Sequence, residues 1–314
     1  MLGGLDFRAL PAQIKRLLFA ALPEYVIVGN GTGNQLGELD AALAALSVGG
    51  TLRIYGAVRV TAKWTINKRA RVVFEGGFGT NSSLLPTSYI IKASTLNDYA
   101  IDITASGVVV QGGGVVAEES NGSDNIRITA NSVRWYNGYS ENAGSDGWFI
   151  DGASNNANSW RLNGCRAYGN TSHGFYFTGD DSNAGVADGC LSLANGGDGF
   201  FSEKTESGVN PAWNTFIGCT GENNTGYGIR LKGGTDNLII GGDFEANTAG
   251  DIFIDATEQL ATIAAQNRGS VITDNGFYTR RLDRYRSNRG TFTPARVKTV
   301  VGDGRAAVLG CNRR

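Results

Sequence analysis

Cys165-Arg-Ala-Tyr-Gly-Asn170, followed by Phe175-Tyr-Phe177, and then Cys190-Leu-Ser-Leu-Ala-Asn195, followed by Phe200-Phe-Ser202, is the stretch that decides the fold. The phrase recurs as Asn137-Gly-Tyr-Ser-Glu-Asn142, Cys219-Thr-Gly-Glu-Asn-Asn224 and Gly242-Asp-Phe-Glu-Ala-Asn247. An apolar triplet follows each one: Trp148-Phe-Ile150, Ile229-Arg-Leu231 and Ile252-Phe-Ile254 complete the set. Asparagine follows asparagine at steps of 28, 25, 29 and 23 residues. A near-constant period of variable length is one structural unit repeated, with the extra residues in loops.

Strands this short cannot bury an apolar face alone. Coiled so that each turn pairs with those above and below at ~4.8 Å, they can. Like residues then stack. The expected inner columns are Trp148–Phe175–Phe200–Ile229–Ile252 and Ile150–Phe177–Ser202–Leu231–Ile254, with the cysteines as a third and the asparagines as an amide ladder at a turn. Three of the four cysteines occupy one repeat position, and the single histidine, His173, offers no ligand spacing with them. They therefore read as buried thiols, not as a zinc site or a nucleophile. No metal and no cofactor is expected.

The 314 residues carry a net charge of −1, with 41% hydrophobic content and 46 glycines. That is enough for a sizeable core threaded by tight turns, with no polyanion partner implied by overall charge. No stretch reaches the ~20 apolar residues of a membrane helix, so no membrane partner is expected. The run at 15–22 is too short for a secretory leader, and the chain reads as unprocessed and made in the cytosol.

Residues 10–22 have a helical pattern and, within a segment 1–23, are expected to form an anchor or cap. A strand is expected over 25–31, then a helix from Glu38 to Leu46 stopped by Gly49-Gly50. Strands follow at Thr51–Tyr55, Ala57–Val60, Trp64–Ile66 and Arg71–Phe74, and the coil is expected over 24–256. Residues 257–314 change character: from Arg268 onward there are eleven Lys/Arg against Asp274, Asp283 and Asp303. The run Arg280–Arg289 interleaves arginine with Leu282 and Tyr285, and is read as a cap or oligomerisation region with a terminal hairpin at 297–309, not as a nucleic-acid patch.

Leu39–Leu46, Gly49-Gly-Thr-Leu-Arg-Ile54, Trp64-Thr-Ile66 and Val72-Val-Phe-Glu-Gly76 together resemble the entry to pectate-lyase-like right-handed parallel β-helices. There a small helix plugs the first turn. With its Asn/Gly/Ser-rich turns and basic tail, the chain looks like bacteriophage tailspikes and tail-fibre depolymerases. That resemblance implies an all-β solenoid with an N-terminal capping helix and a small C-terminal cap or trimerisation region. It implies a homotrimer in the phage tail, assembled in the host cytoplasm and joined to other tail proteins through its N-terminal segment. It implies recognition, with or without cleavage, of a bacterial surface glycan. The rival readings are a non-catalytic adhesion or structural appendage and a cellular pectate-lyase-like enzyme, which would be secreted.

Chemistry is expected at the residue after each triplet: Asp151, Thr178, Glu203, Lys232 and Asp255. Paired carboxylates can hydrolyse a glycoside, and a base beside a neutralised carboxylate can eliminate one. Asp180, Asp181, Glu203 and Glu206 are the candidate catalytic carboxylates. Asp151, Lys232, Trp213 and Tyr176 are the candidate substrate contacts, and the loops 151–158, 178–184 and 203–212 beside them are longer than a turn needs. Asp180-Asp181 is also a pair that could hold calcium.

Overall fold

A computed structural model describes residues 24–76, 86–119, 122–153, 156–179, 181–204, 211–258, 261–264, 272–274 and 280–281. The expected N-terminal helix at 10–22, the terminal hairpin at 297–309, Asp180 and Glu206 lie outside them. Twenty-eight strands and one helix are described. The chain visits three sheets in rotation, the first of eleven strands, the second of eight and the third of nine, and every pairing between successive turns is parallel. The result is a right-handed parallel β-helix of about nine turns.

The inner columns come out in the expected register. Trp148 pairs with Phe175, Phe175 with Phe200 and Phe200 with Ile229, while Ile150, Phe177, Ser202 and Leu231 align beside them. Phe175 and Phe200 stack 4.8 Å apart at 3°. Burying one such ring removes about 2–3 kcal/mol of apolar hydration cost, and each turn adds to the last. Helix α1 (Leu36–Ala45) buries Leu39, Ala42 and Leu43 and packs on strands Glu24–Val28 and Trp64–Ile66, which open the first and third sheets. Its last carbonyls are held by Lys68, whose Nζ donates to the oxygens of Leu43, Ala44 and Leu46 at 2.8–3.0 Å.

Cys165, Cys190 and Cys219 are free and buried, each Sγ within 3.3–3.5 Å of a backbone carbonyl of the turn before. Burial pushes the Cys190 thiol well up. In a Cys311→Ser background, none of the three should react with a thiol reagent until the coil unfolds; stoichiometric labelling of the native protein would contradict this.

The amide ladder departs from expectation by one residue. Asn170, Asn195, Asn224 and Asn247 form it, each side chain bonded to the next at 2.8–2.9 Å. In the preceding turn the ladder position is Ala143, whose N–H donates to Asn170 Oδ1. Asn142 instead takes the left-handed turn position, φ 57°, shared with Gly169, Ala194 and Asn223. A second ladder runs along the corner between the third and first sheets. Asn131 Oδ1 accepts the Asn158 N–H, Asn158 Oδ1 that of Asn183, and Asn183 Oδ1 that of Ala212. Beyond residue 256, the expected end of the coil, Thr262–Ala264 and Arg280–Arg281 extend the first sheet and Ile272–Asp274 the third.

Candidate functional site

The column after each triplet is real as a register: Asp151 pairs with Thr178, Thr178 with Glu203 and Glu203 with Lys232. It forms the edge of the third sheet, and its charges are matched internally. Asp151 Oδ2 takes the Arg127 guanidinium at 2.6 Å, and its Oδ1 accepts the Ala153 N–H. Glu203 Oε2 accepts from the Tyr176 hydroxyl at 3.1 Å, and Oε1 pairs with Lys232 Nζ. Asp181 stands apart from Glu203's partners, in the corner loop, its Oδ1 taken by Asn183 Nδ2 at 2.8 Å.

Tyr176 belongs to an outward stack. Phe149 and Phe201 lie against its two faces at 5.4 and 5.3 Å, with interplanar angles of 18° and 8°. The ring therefore offers ligands an edge and a hydroxyl, not a stacking face. Burial, and then the neighbouring Glu203, push that hydroxyl up to about 12.

Beside the stack runs a line of titratable groups, of which the sequence had singled out only His173. Asp124, Asp146, His173 and Asp198 each accept, through the side chain, the backbone N–H of the equivalent residue one turn on, at 2.6–2.8 Å. Burial first, and Asp124 second, push Asp146 up to about 7. His173 is driven down to about 4 by burial and by Arg230. Since its Nδ1 accepts the Asp198 N–H, its proton sits on Nε2. The signal was present as Asp146-Gly, His173-Gly and Asp198-Gly directly before three successive triplets. Elsewhere, Glu222, Asp243 and Glu245 on the second sheet bring ligand oxygens within 4.8 Å of one another, and these are the described carboxylates best placed to meet a cation.

A surface track follows the corner between the third and first sheets. Its floor is the column two residues before each first-sheet strand: Arg69, Gly107, Ser132, Ser159, Ala184 and Trp213. From Gly107 to Trp213 this position has φ of 52–72° in every turn, a left-handed kink that turns the chain tightly into the next strand. The asparagine ladder at 131, 158 and 183 fixes it from the residue before. Small residues keep the middle of the floor low. Trp213 rises from one end with 60% of its surface exposed, so of the candidate contacts it is the one that offers an aromatic face. Five strand spacings of ~4.8 Å separate Arg69 from Trp213, a track of about 24 Å. A groove of about 330 Å³ takes in the floor from Arg69 to Ser132, and a second, of about 270 Å³, shares Arg134 with it and runs over the outer face of the first sheet past Tyr136, Arg161, Asn163 and Asp188.

No known family's sequence profile matches the chain, and no curated protein is similar to it in sequence. Solved structures of the same fold are found. ORF18 of Geobacillus virus E2 superposes with a TM-score of 0.52 at 14% identity, over 85% of this chain and 60% of that one. The Dettilon tailspike protein gp208 gives 0.53 at 12% identity, over 82% and 59%. The A-module of the Azotobacter vinelandii mannuronan C-5 epimerase AlgE6 gives 0.50 at 15% identity, over 85% and 94%. The chain thus spans about 60% of each of the two viral proteins and nearly all of the epimerase module. Its fold is that of a phage tailspike-like parallel β-helix.

Proposed function

We propose that this chain is a receptor-binding spike of the tailspike kind, carried on a phage tail as a homotrimer, and that it binds a bacterial surface polysaccharide along the corner track. The observation that carries the reading is the track itself: a low, straight floor on a rigid coil, running about 24 Å and closed by an exposed tryptophan. A linear polymer needs such a linear, preformed surface. Fold-level similarity to two viral proteins, one of them a tailspike, and to an enzyme acting on a polysaccharide supports the same direction. Binding is favoured over cleavage because Asp151 is paired with Arg127 and Glu203 with Lys232, while Asp181 Oδ1 is held by Asn183.

An array of bacterial capsular and lipopolysaccharide glycans tests the reading. At least one is expected to bind, with Trp213→Ala weakening it about tenfold, as loss of a buried aromatic contact does. Glu203→Gln should leave that affinity unchanged and no reducing ends or unsaturated sugars should be released. Binding to none of the array refutes the function. Release of sugar that is lost in Glu203→Gln returns catalysis to the edge of the third sheet.

A further inference from the structure

The corner track carries an arrangement of charge that identifies its ligand more closely. Arg71, Arg134 and Arg161 begin three first-sheet strands and lie in one outward column, separated only by Val109. Arg69 completes the row from the floor, its side chain lying across Gly107, where a methyl would stand 3.3 Å from its Cδ. Among the described residues none of the four makes a salt bridge, although Arg53, on the same sheet outside the track, is paired with both Glu24 and Glu75. Two are held in place by neutral acceptors. Arg71 Nη2 donates to Gln111 at 2.8 Å, and Arg161 Nη1 donates to the carbonyls of Trp160 and Ala184 at 2.9 and 2.8 Å. The second pair of contacts brings the Arg161 guanidinium to the floor. The nearest acid along the grooves, Asp188, is bonded to Asn163 at 3.0 Å.

Four like charges in a row repel one another, and among the described residues Asp188 is the one acid that lines the grooves beside them. Arg134 starts one strand spacing from Arg161 and two from Arg71, ~4.8 and ~9.6 Å along the backbone, so the row presents a series of guanidinium forks to a polymer lying along it. Such forks match planar carboxylates. Trp213, at the far end, supplies a ring face for an apolar sugar face. We propose that the track binds an acidic polysaccharide, one bearing uronate or equivalent carboxylates, with Arg71, Arg134 and Arg161 pairing its charges. This inference rests on the binding reading above and names the class of glycan for that site. A single-stranded nucleic acid is the less favoured polyanion, because successive bases need successive aromatic platforms and the floor between Gly107 and Ala184 has none.

Calorimetric titration of the intact protein with polygalacturonate, dextran and an oligothymidylate, at low and high salt, decides the matter. Polygalacturonate should bind, weaken with salt and lose about tenfold in affinity for each of Arg134→Ala and Arg161→Ala, as for loss of a charged hydrogen bond. Arg53→Ala should bind as the parent does, and circular dichroism of each variant confirms that the coil is intact. Tighter binding of the oligothymidylate assigns the track to nucleic acid and overturns the proposal. So does equal, salt-independent binding of dextran. If the array yields a glycan whose affinity survives both arginine substitutions, the charge assignment fails while the polysaccharide reading stands. If no glycan binds at all, both fail.

Discussion

Asn195→Ala lowers the unfolding free energy by about 4 kcal/mol, among the largest losses expected from one polar side chain in the coil. Asn195 is 1% exposed and sits in the middle of the amide ladder. Its Oδ1 accepts both the backbone N–H and the Nδ2 of Asn170, at 3.0 and 2.8 Å. Its Nδ2 donates to Ser192 Oγ and Asn224 Oδ1, both at 2.9 Å. Alanine leaves several buried polar groups on two neighbouring turns short of partners, at roughly 1–3 kcal/mol each. Some relaxation recovers part of this, since Asn224 also accepts the Asn195 backbone N–H, which alanine retains. Asn247, at the end of the ladder, makes as many side-chain bonds, accepting from the Asn224 N–H and Nδ2 and donating to Gly221, Glu245 and Asp251, but it is only half-buried. Water can replace its lost bonds, and Asn247→Ala should cost about 1 kcal/mol. Urea unfolding of both variants checks the contrast through midpoints at constant slope. Equal losses at the two positions would show that the ladder contributes no more in its middle than at its end.

The same ladder shows how far the sequence could be read. Columns defined by burial were legible, because core positions are apolar in most turns, Ser202 being an exception: Trp148, Phe175, Phe200 and Ile229 could be aligned without coordinates. The Asn142 assignment slipped by one because the chain uses asparagine for two jobs at adjacent positions, amide bonding and a left-handed turn. The corner track was hidden for a different reason. Its floor residues Gly107, Ser132, Ser159 and Ala184 share only smallness and a backbone angle, and variable loops precede them. Arg71, Arg134 and Arg161 look unrelated in the chain, and only parallel pairing makes them neighbours. Trp213 stood out from its loop as a candidate contact, but the surface beside it did not. The edge column of Asp151, Glu203 and Lys232 was placed correctly, and only the geometry reveals that Glu203 pairs with Lys232 within it and Asp151 with Arg127 beside it.

Asp146→Asn and His173→Asn should tilt the pH dependence of stability in opposite directions. Asp146 ordinarily titrates near 3.8 and holds its proton in the fold up to about 7. Between those values the folded chain binds more protons than the unfolded one, so this group makes stability fall as pH rises. His173 ordinarily titrates near 6.5 and in the fold near 4. There the unfolded chain binds more, so this group makes stability fall as pH drops through that window. The two slopes oppose each other between about pH 4 and 6.5. At about 1.4 kcal/mol per pH unit, the slopes are equivalent to about 4 kcal/mol for Asp146 and about 3 kcal/mol for His173 across their whole windows. Asparagine retains an acceptor for the N–H that each side chain now holds, the His173 amide for Asp146 and the Asp198 amide for His173. Removing the histidine therefore leaves the Asp146 slope, and the variant gains on the parent as pH falls from 6.5 to 4. Removing the aspartate leaves the histidine slope, and that variant loses on the parent over the same range. Denaturation midpoints of the three proteins from pH 4 to 7, read as differences from the parent, measure both. Parallel curves would mean that neither group carries a displaced proton equilibrium. Curves tilting the same way would mean that the burial ascribed to one of them is wrong.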